Sequence, residues 1–99
     1  MKQLRVGIIG TGMVARMHAN MYRDMENVKL VAAANLIEPS LHAFCSEYGI
    51  ENAYLDYREM LKRDDLDSVD VCLYNNLHAP IAIEVMRAGK DCYCEKPIA

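Results

Sequence analysis

No stretch of this sequence offers the roughly twenty consecutive apolar residues that a membrane-spanning helix needs. Lys2 and Arg5 stand near the N-terminus, but the apolar run around them is short and broken by glycine. That excludes a secretory signal peptide, and the cytoplasm is the compartment expected by default. A cluster of basic residues is missing too. With 11 Lys and Arg against 14 Asp and Glu, the net charge of −3 argues against a nucleic-acid partner. An anionic ligand held by backbone N–H groups stays open. None of the four cysteines, Cys45, Cys72, Cys92 and Cys94, falls in a CxxC pair. Cys92 and Cys94 stand two apart in a strand-like segment, where disulfide geometry is poor, so free thiols are expected. His18, His42 and His78 are scattered among different elements without metal-ligand spacing, and no metal is expected. Repeats and low-complexity linkers are absent, and 99 residues leave room for one domain at most.

What is present is a soluble, globular balance, 53% hydrophobic and 25% charged. Near the start Leu4, Val6, Ile8 and Ile9 form a β-branched run that breaks into Gly10-Thr11-Gly12 just before a helical pattern. The order strand, tight turn, helix places GxGxxA, with Ala15 in its third position, where a dinucleotide diphosphate meets a helix N-terminus. Gly10 turns the chain sharply, Gly12 removes the side chain that would bar a diphosphate from the backbone, and Ala15 keeps helix close to strand. An ordinary glycine-rich turn between packed elements fits these residues equally well, and context has to decide.

The first helix carries Val14, Met17, His18, Met21, Tyr22 and Met25 at the offsets of one buried face. Residues 28–34, nearly all apolar, read as a parallel strand covered on both sides, with Asn35 at its carboxyl end. Pro39 opens a second helix with Leu41, Phe44, Cys45 and Tyr48 on one face, Gly49 as its left-handed stop and Ile50 as the apolar contact beyond. A brief strand follows at Ala53 to Leu55. Asp56 and Glu59 then form a capping box for a helix bearing Met60 and Leu61, and Arg63-Asp64-Asp65 reads as a solvated turn. A fourth strand runs from Val69 to Leu73, a loop from Asn75 to Ala79, and a helix from Pro80 with Ile81, Val85 and Ala88 on one face, ended by Gly89. Asp91 to Cys94 makes the fifth strand.

This alternation specifies an α/β fold, a Rossmann-type doubly wound parallel sheet in the order 3-2-1-4-5. Its switch point lies between the first and fourth strands. Gly10 to Gly12, Asn35, Asn75 to His78 and Glu95 to Pro97 all sit at carboxyl ends of strands and are expected to converge on one crevice, which favours the dinucleotide reading.

Glu95-Lys96-Pro97, taken with the glycine-rich turn and Asn75-Asn76-Leu77-His78, closely resembles the amino-terminal domain of the glucose-fructose oxidoreductase / inositol dehydrogenase / MocA family over essentially the whole chain. The resemblance implies an NAD(P)-dependent oxidoreductase that moves hydride between a nicotinamide and a sugar, polyol or related hydroxyl carbon. It casts Lys96 as the catalytic lysine that hydrogen-bonds the reacting hydroxyl, implies a cis Lys96–Pro97 bond, and puts Glu95 near the nicotinamide ribose. Cofactor contacts are expected from Gly10, Thr11, Gly12, Met13, Val14 and Asn35, and from Asn75, Asn76 and His78 along the nicotinamide. Taken by itself, Lys96 reads as a solvated lysine after an edge strand, and His78 reads equally as a cap for the next helix. His18 resembles a histidine common on the family's first helix, with a hydrogen-bonded packing role, and His42 is a surface helix residue. Leu73-Tyr74 stand where the family often has Thr-Pro.

Asn35 departs from the fingerprint, which expects Asp or Glu there to accept from the adenosine ribose. Its carbonyl can accept from a 2′-hydroxyl, and its amide can donate to a 2′-phosphate. Leu36 and Ile37 supply no arginine and Glu38 would repel phosphate, so NAD is favoured slightly over NADP. The resemblance further implies that this nucleotide-binding domain, residues 1–99, stops before its last helix and sixth strand. It also implies that the substrate domain is absent, that the uncovered fifth strand invites a homo-oligomer, and that a small-molecule substrate needs a further domain. Three functions stay open: the cofactor-binding portion of an oxidoreductase, inactive alone; a non-catalytic dinucleotide-binding regulator or sensor; and a remnant without cofactor.

Overall fold

The computed structural model describes residues 3–73 and 75–94, with backbone alone at 75–79, 93 and 94. Five strands, β1 (Leu4–Ile9), β2 (Val28–Ala34), β3 (Asn52–Tyr54), β4 (Ser68–Val71) and β5 (Asp91–Cys94), alternate with α1 (Met13–Arg23), α2 (Glu38–Tyr48), α3 (Tyr57–Met60) and α4 (Asn75–Arg87). The strands pair in parallel in the order β3-β2-β1-β4-β5, which is the expected order.

Two apolar clusters sandwich the sheet. Val6 and Ile8 of β1 pack with Ala15, Ala19, Leu41 and Phe44 of α1 and α2. On the other face Ile9, Val69 and Val71 pack with Met60, Ile81 and Val85 of α3 and α4. Each β1 side therefore meets a different helix pair, as the period-2 alternation of a doubly covered strand requires. In β2 the register against β1 slips between Val6 and Gly7, so Val31 and Ala32 in succession join one cluster while Ala33 joins the other. Ala32, Ala33 and Ala34 are fully buried, and their small side chains let helices approach closely from both sides.

Helix α1 corrects the expected face. Ala15, His18 and Ala19 are buried and Tyr22 half-buried, whereas Val14, Met17, Met21 and Met25 lie exposed. Both sets recur at helical spacing, but alanines bring the axis nearer the sheet than methionines allow, and close packing favours the smaller stripe. Helix α2 follows expectation: Pro39 lies in its first turn, Gly49 takes a left-handed φ of 66°, and the Ile50 N–H donates to the Cys45 carbonyl at 2.9 Å. Burial pushes the Cys45 thiol pKa up.

Other boundaries move. Strand β3 begins one residue before the expected span, and β4 spans Ser68–Val71, with Cys72 keeping one more bond, N–H to the Ile9 carbonyl at 2.8 Å. Asp56 caps α3 by accepting from the Arg58 N–H at 2.9 Å, while Glu59 pairs with Lys62 rather than closing the box. The Arg63-Asp64-Asp65 turn is tied down: Arg63 donates to Asp65 at 2.6 and 2.7 Å and to the Tyr54 hydroxyl at 2.9 Å, which holds the Asp65 carboxyl below its usual range.

The segment expected to be a loop, residues 75–79, is the start of α4, with Pro80 inside the helix. A proline ring suits helical φ and removes one hydrogen bond. Burial of Ile81 and Val85 against the sheet outweighs that loss. Ala88 falls beyond α4 and is exposed. Among the described residues no helix is long and apolar enough to cross a membrane.

Candidate functional site

Strand β1 ends at the switch point, where its neighbours part company. The Gly10 N–H donates to the Ala34 carbonyl of β2 at 2.8 Å, while the Ile9 carbonyl accepts from Cys72 beyond β4. Gly10 has φ of 104°, and a Cβ there would lie 2.4 Å from the Cys72 carbonyl oxygen. Both the backbone angle and the close approach demand glycine. Gly12, the cap residue just before α1, is different. Its φ of −81° suits any residue, and a Cβ added to it meets no atom of the described residues within 4 Å. Neither packing nor conformation accounts for a glycine there, and the space in front of it is open. No side chain caps α1, and no acidic residue stands in its first turn, so the N-terminal N–H groups and the positive end of the helix dipole face that space.

Two adjoining cavities lie over these carboxyl ends, of about 580 and about 450 Å³. Gly10, Asn35 and Leu73 line both. The smaller one is walled by Thr11, Gly12, Met13 and Val14, so six of the sequence-predicted contacts, from Gly10 through Val14 and Asn35, come together in one place. Met13 is 80% exposed at its mouth. The larger cavity runs on towards Leu55, Tyr57, Arg58 and Ile81. Of the remaining expected contacts, Asn75, Asn76 and His78 are placed by backbone alone, in the first two turns of α4 at the carboxyl end of β4. Glu95, Lys96 and the Lys96–Pro97 bond lie outside the described residues.

The walls of the smaller cavity are knitted by a polar chain. Asn35 Nδ2 donates to Thr11 Oγ1 at 2.6 Å, and Thr11 Oγ1 shares a hydrogen bond with Ser40 Oγ, also at 2.6 Å. Asn35 Oδ1 accepts from the Leu36 N–H at 3.0 Å. The turn after β1, the end of β2 and the first turn of α2 are thereby fixed to one another. The sequence reading missed Ser40; its signal is a hydroxyl in the first turn of the helix after the second strand.

Behind α1 lies a second group that the sequence reading also missed. Asp70, fully buried in β4, accepts from the Tyr22 hydroxyl at 2.7 Å and lies 2.6 Å from His18 Nδ1. The Cys72 thiol donates to the other Asp70 oxygen at 3.3 Å and sits 3.4 Å from His18 Nδ1. An aspartate inside an apolar strand is the signal that could have found it, because a buried carboxylate needs donors. His18 does have the hydrogen-bonded packing role expected of it, although its neighbours on that face are Ala15 and Ala19. The ligand atoms of His18, Asp70 and Cys72 lie within 4.8 Å of one another, the one group among the described residues that could hold a metal ion. The hydrogen bonds among them satisfy the carboxylate without an ion. His42 is exposed and pairs with Glu38 one turn before it, at 3.5 Å.

A parallel sheet in this order, with a glycine-rich turn at its switch point opening on an uncapped helix and a neutral cleft, defines a dinucleotide-binding Rossmann domain. The model of the oxidoreductase family with an NAD-binding Rossmann fold matches residues 4–99. The chain belongs to that family, that of glucose-fructose oxidoreductase, inositol dehydrogenase and MocA, and lies in its NAD-binding portion.

It is 31% identical to the myo-inositol 2-dehydrogenase of Thermotoga maritima over 97% of this chain and 29% of that protein. With the levoglucosan dehydrogenase of Pseudarthrobacter phenanthrenivorans it is 36% identical, over 100% of this chain and 27% of the other. Among solved structures, it superposes with a TM-score of 0.90 on scyllo-inositol dehydrogenase from Lactobacillus casei with bound NAD(H) and scyllo-inositol. Identity there is 28%, over 99% of this chain and 29% of that one. A levoglucosan dehydrogenase complex with NADH and L-sorbose gives 0.91 at 32% identity, over 100% and 29%. The chain thus spans under a third of the length of these relatives.

Proposed function

We propose that this chain, as an incomplete Rossmann domain over residues 1–99, holds the dinucleotide of an oxidoreductase that acts on a hydroxyl carbon of a sugar or polyol. The diphosphate lies on the backbone of Gly10 to Gly12 and the first N–H groups of α1, beside Thr11, Met13 and Val14. The adenosine ribose lies by Asn35. Gly12 carries this reading: nothing among the described residues requires a glycine there, and the room it leaves is what a diphosphate needs against a helix N-terminus.

The donor set fits an anionic group, since backbone N–H groups front the turn and, among the described residues, no charged one lines the smaller cavity. When bound, the nicotinamide supplies the acceptor or donor of hydride. Lys96 acts as the catalytic residue, hydrogen-bonding the reacting hydroxyl and taking part in its proton transfer; an ammonium there favours a developing alkoxide. Glu95, Asn75, Asn76 and His78 line the nicotinamide end. The relatives named for inositol and levoglucosan support a polyol or sugar substrate, and further polypeptide has to supply most of its pocket. We place the protein in the cytoplasm as a homo-oligomer, the exposed methionines of α1 forming part of the contact between copies.

Calorimetric titration with NADH tests the cofactor step, and saturable binding is the expected result; no heat and no binding would sink the reading. In the same polypeptide extended by a substrate domain, Lys96→Ala is expected to lower kcat for polyol oxidation at least a hundredfold (about two to four orders of magnitude for a lost acid–base group) with NADH affinity unchanged. An active Lys96→Ala enzyme would remove Lys96 from the chemistry and leave the binding reading intact.

A further inference from the structure

We propose that the Asn35–Thr11–Ser40 hydrogen-bonded chain makes the ribose-reading corner neutral and rich in donors. The site then takes a 2′-phosphorylated adenine dinucleotide about as well as the plain one. This rests on the cofactor reading above and goes beyond it, since the family match speaks for NAD.

The argument begins with where each proton points. Asn35 spends one amide hydrogen on Thr11 Oγ1, and its Oδ1 is engaged by the Leu36 N–H. Thr11 Oγ1 and Ser40 Oγ share one hydroxyl proton, so the other hydroxyl proton of the pair is left over, whichever of the two carries it. The second amide hydrogen of Asn35 is left as well. What this corner holds for a ligand is therefore an O–H, an N–H and the second lone pair of Asn35 Oδ1, with no formal charge. A carboxylate at the end of β2 would have been a pure acceptor, suited to ribose hydroxyls and repelling a phosphate. Donors suit both: phosphate oxygens accept from them, and so do hydroxyl oxygens.

The charge around the corner agrees. Among the described residues no charged one lines the cavity that Asn35, Thr11 and Ser40 share. Glu38, in the first turn of α2, lines neither cavity; its side chain is 63% exposed and 3.5 Å from His42. In the larger cavity Arg58 is paired with Glu84 at 3.2 Å and with Asp56 at 3.9 Å, so it offers no unbalanced positive charge that would select for phosphate. The corner thus neither repels nor specifically captures a dianion.

Replacing Asn35 by aspartate reverses the chain. Thr11 then donates to the new carboxylate and Ser40 donates to Thr11, so the protons run inward and a negative charge faces the ribose. The fold keeps its hydrogen bonds while the specificity changes.

The test measures dissociation constants of the full chain for NADH and NADPH by fluorescence. The same comparison between 5′-AMP and adenosine 2′,5′-bisphosphate isolates the adenosine end. The expected ratio is within tenfold for each pair. In Asn35→Asp, with its melting curve recorded beside the parent's, NADPH and the bisphosphate are expected to weaken at least tenfold relative to their partners, the effect of a like charge within a few ångströms. In Ser40→Ala the Thr11 hydroxyl proton and the second amide hydrogen of Asn35 remain available, so both ratios are expected to stay within tenfold. Binding of NADH with NADPH outside the tenfold range in either direction overturns this proposal and leaves the cofactor reading standing. Failure of all four ligands overturns both.

Discussion

Gly10 and Gly12 stand two residues apart and answer to different demands. Ala at Gly10 has to adopt φ of 104° and set a Cβ 2.4 Å from the Cys72 carbonyl oxygen. Gly10→Ala is expected to cost about 2 kcal/mol or more in urea unfolding, since both strain and backbone displacement oppose it. Gly12→Ala meets open space at an ordinary φ, and its cost is expected to stay near about 1 kcal/mol, the difference between glycine and alanine as a helix cap. The same substitution is expected to weaken NADH binding at least tenfold by calorimetry, because the methyl group stands where the diphosphate has to approach. Equal losses of stability in the two variants, with NADH affinity preserved in Gly12→Ala, would break the distinction. The GxGxxA spacing announced both glycines from the sequence. It could not say which of them the protein itself requires, because that depends on the Cys72 carbonyl, sixty residues away in the chain and adjacent in space.

At the level of elements, α1 is held by what it buries. His18 and Tyr22 reach Asp70 in β4, and Cys72 reaches the same carboxylate from the strand's end. Asp70→Ala takes the shared acceptor from three side chains in a dry interior, and a loss of about 3 kcal/mol in urea unfolding is expected. A loss below about 1 kcal/mol would show that the cluster does little to fix the helix. The opposite face carries Met17 and Met21, exposed at 63% and 49%. Met17→Glu with Met21→Glu is expected to leave unfolding free energy within about 0.5 kcal/mol, as surface changes do. Under the assembly proposed above it is expected to shift sedimentation from dimer to monomer, and an unaltered dimer would move the contact elsewhere. The sequence made α1, α2 and their order readable, because period and caps are local. It misread the buried face of α1 because methionine and alanine stripes both repeat at helical spacing, and the choice between them lies in how close the sheet lets the helix come. It misread residues 75–79 because Pro80 looks like a helix start, while burial of Ile81 and Val85 carries the helix through it.

Across the whole molecule, the parallel, doubly covered sheet followed from the alternation of elements and right-handed crossovers, and the Rossmann pattern supplied the strand order and with it the convergence of Gly10, Gly12 and Asn35. The polar chain through Ser40 and the carboxylate at Asp70 did not follow from either, since each depends on side chains from elements that meet only after folding. The central position of β1 has a further consequence. It pairs with β2 from Leu4↔Val28 and with β4 from Val6↔Ser68, and the Arg5 guanidinium donates along one edge, through Nε and Nη2, to the two carboxylate oxygens of Asp67. Of the three inner strands, β1 is therefore made before the others and waits longest for its second neighbour. Until some sixty further residues are made, one side of β1 is a bare edge of the kind that recruits other chains, so the nascent polypeptide is most exposed to misassembly at the strand its finished form protects best.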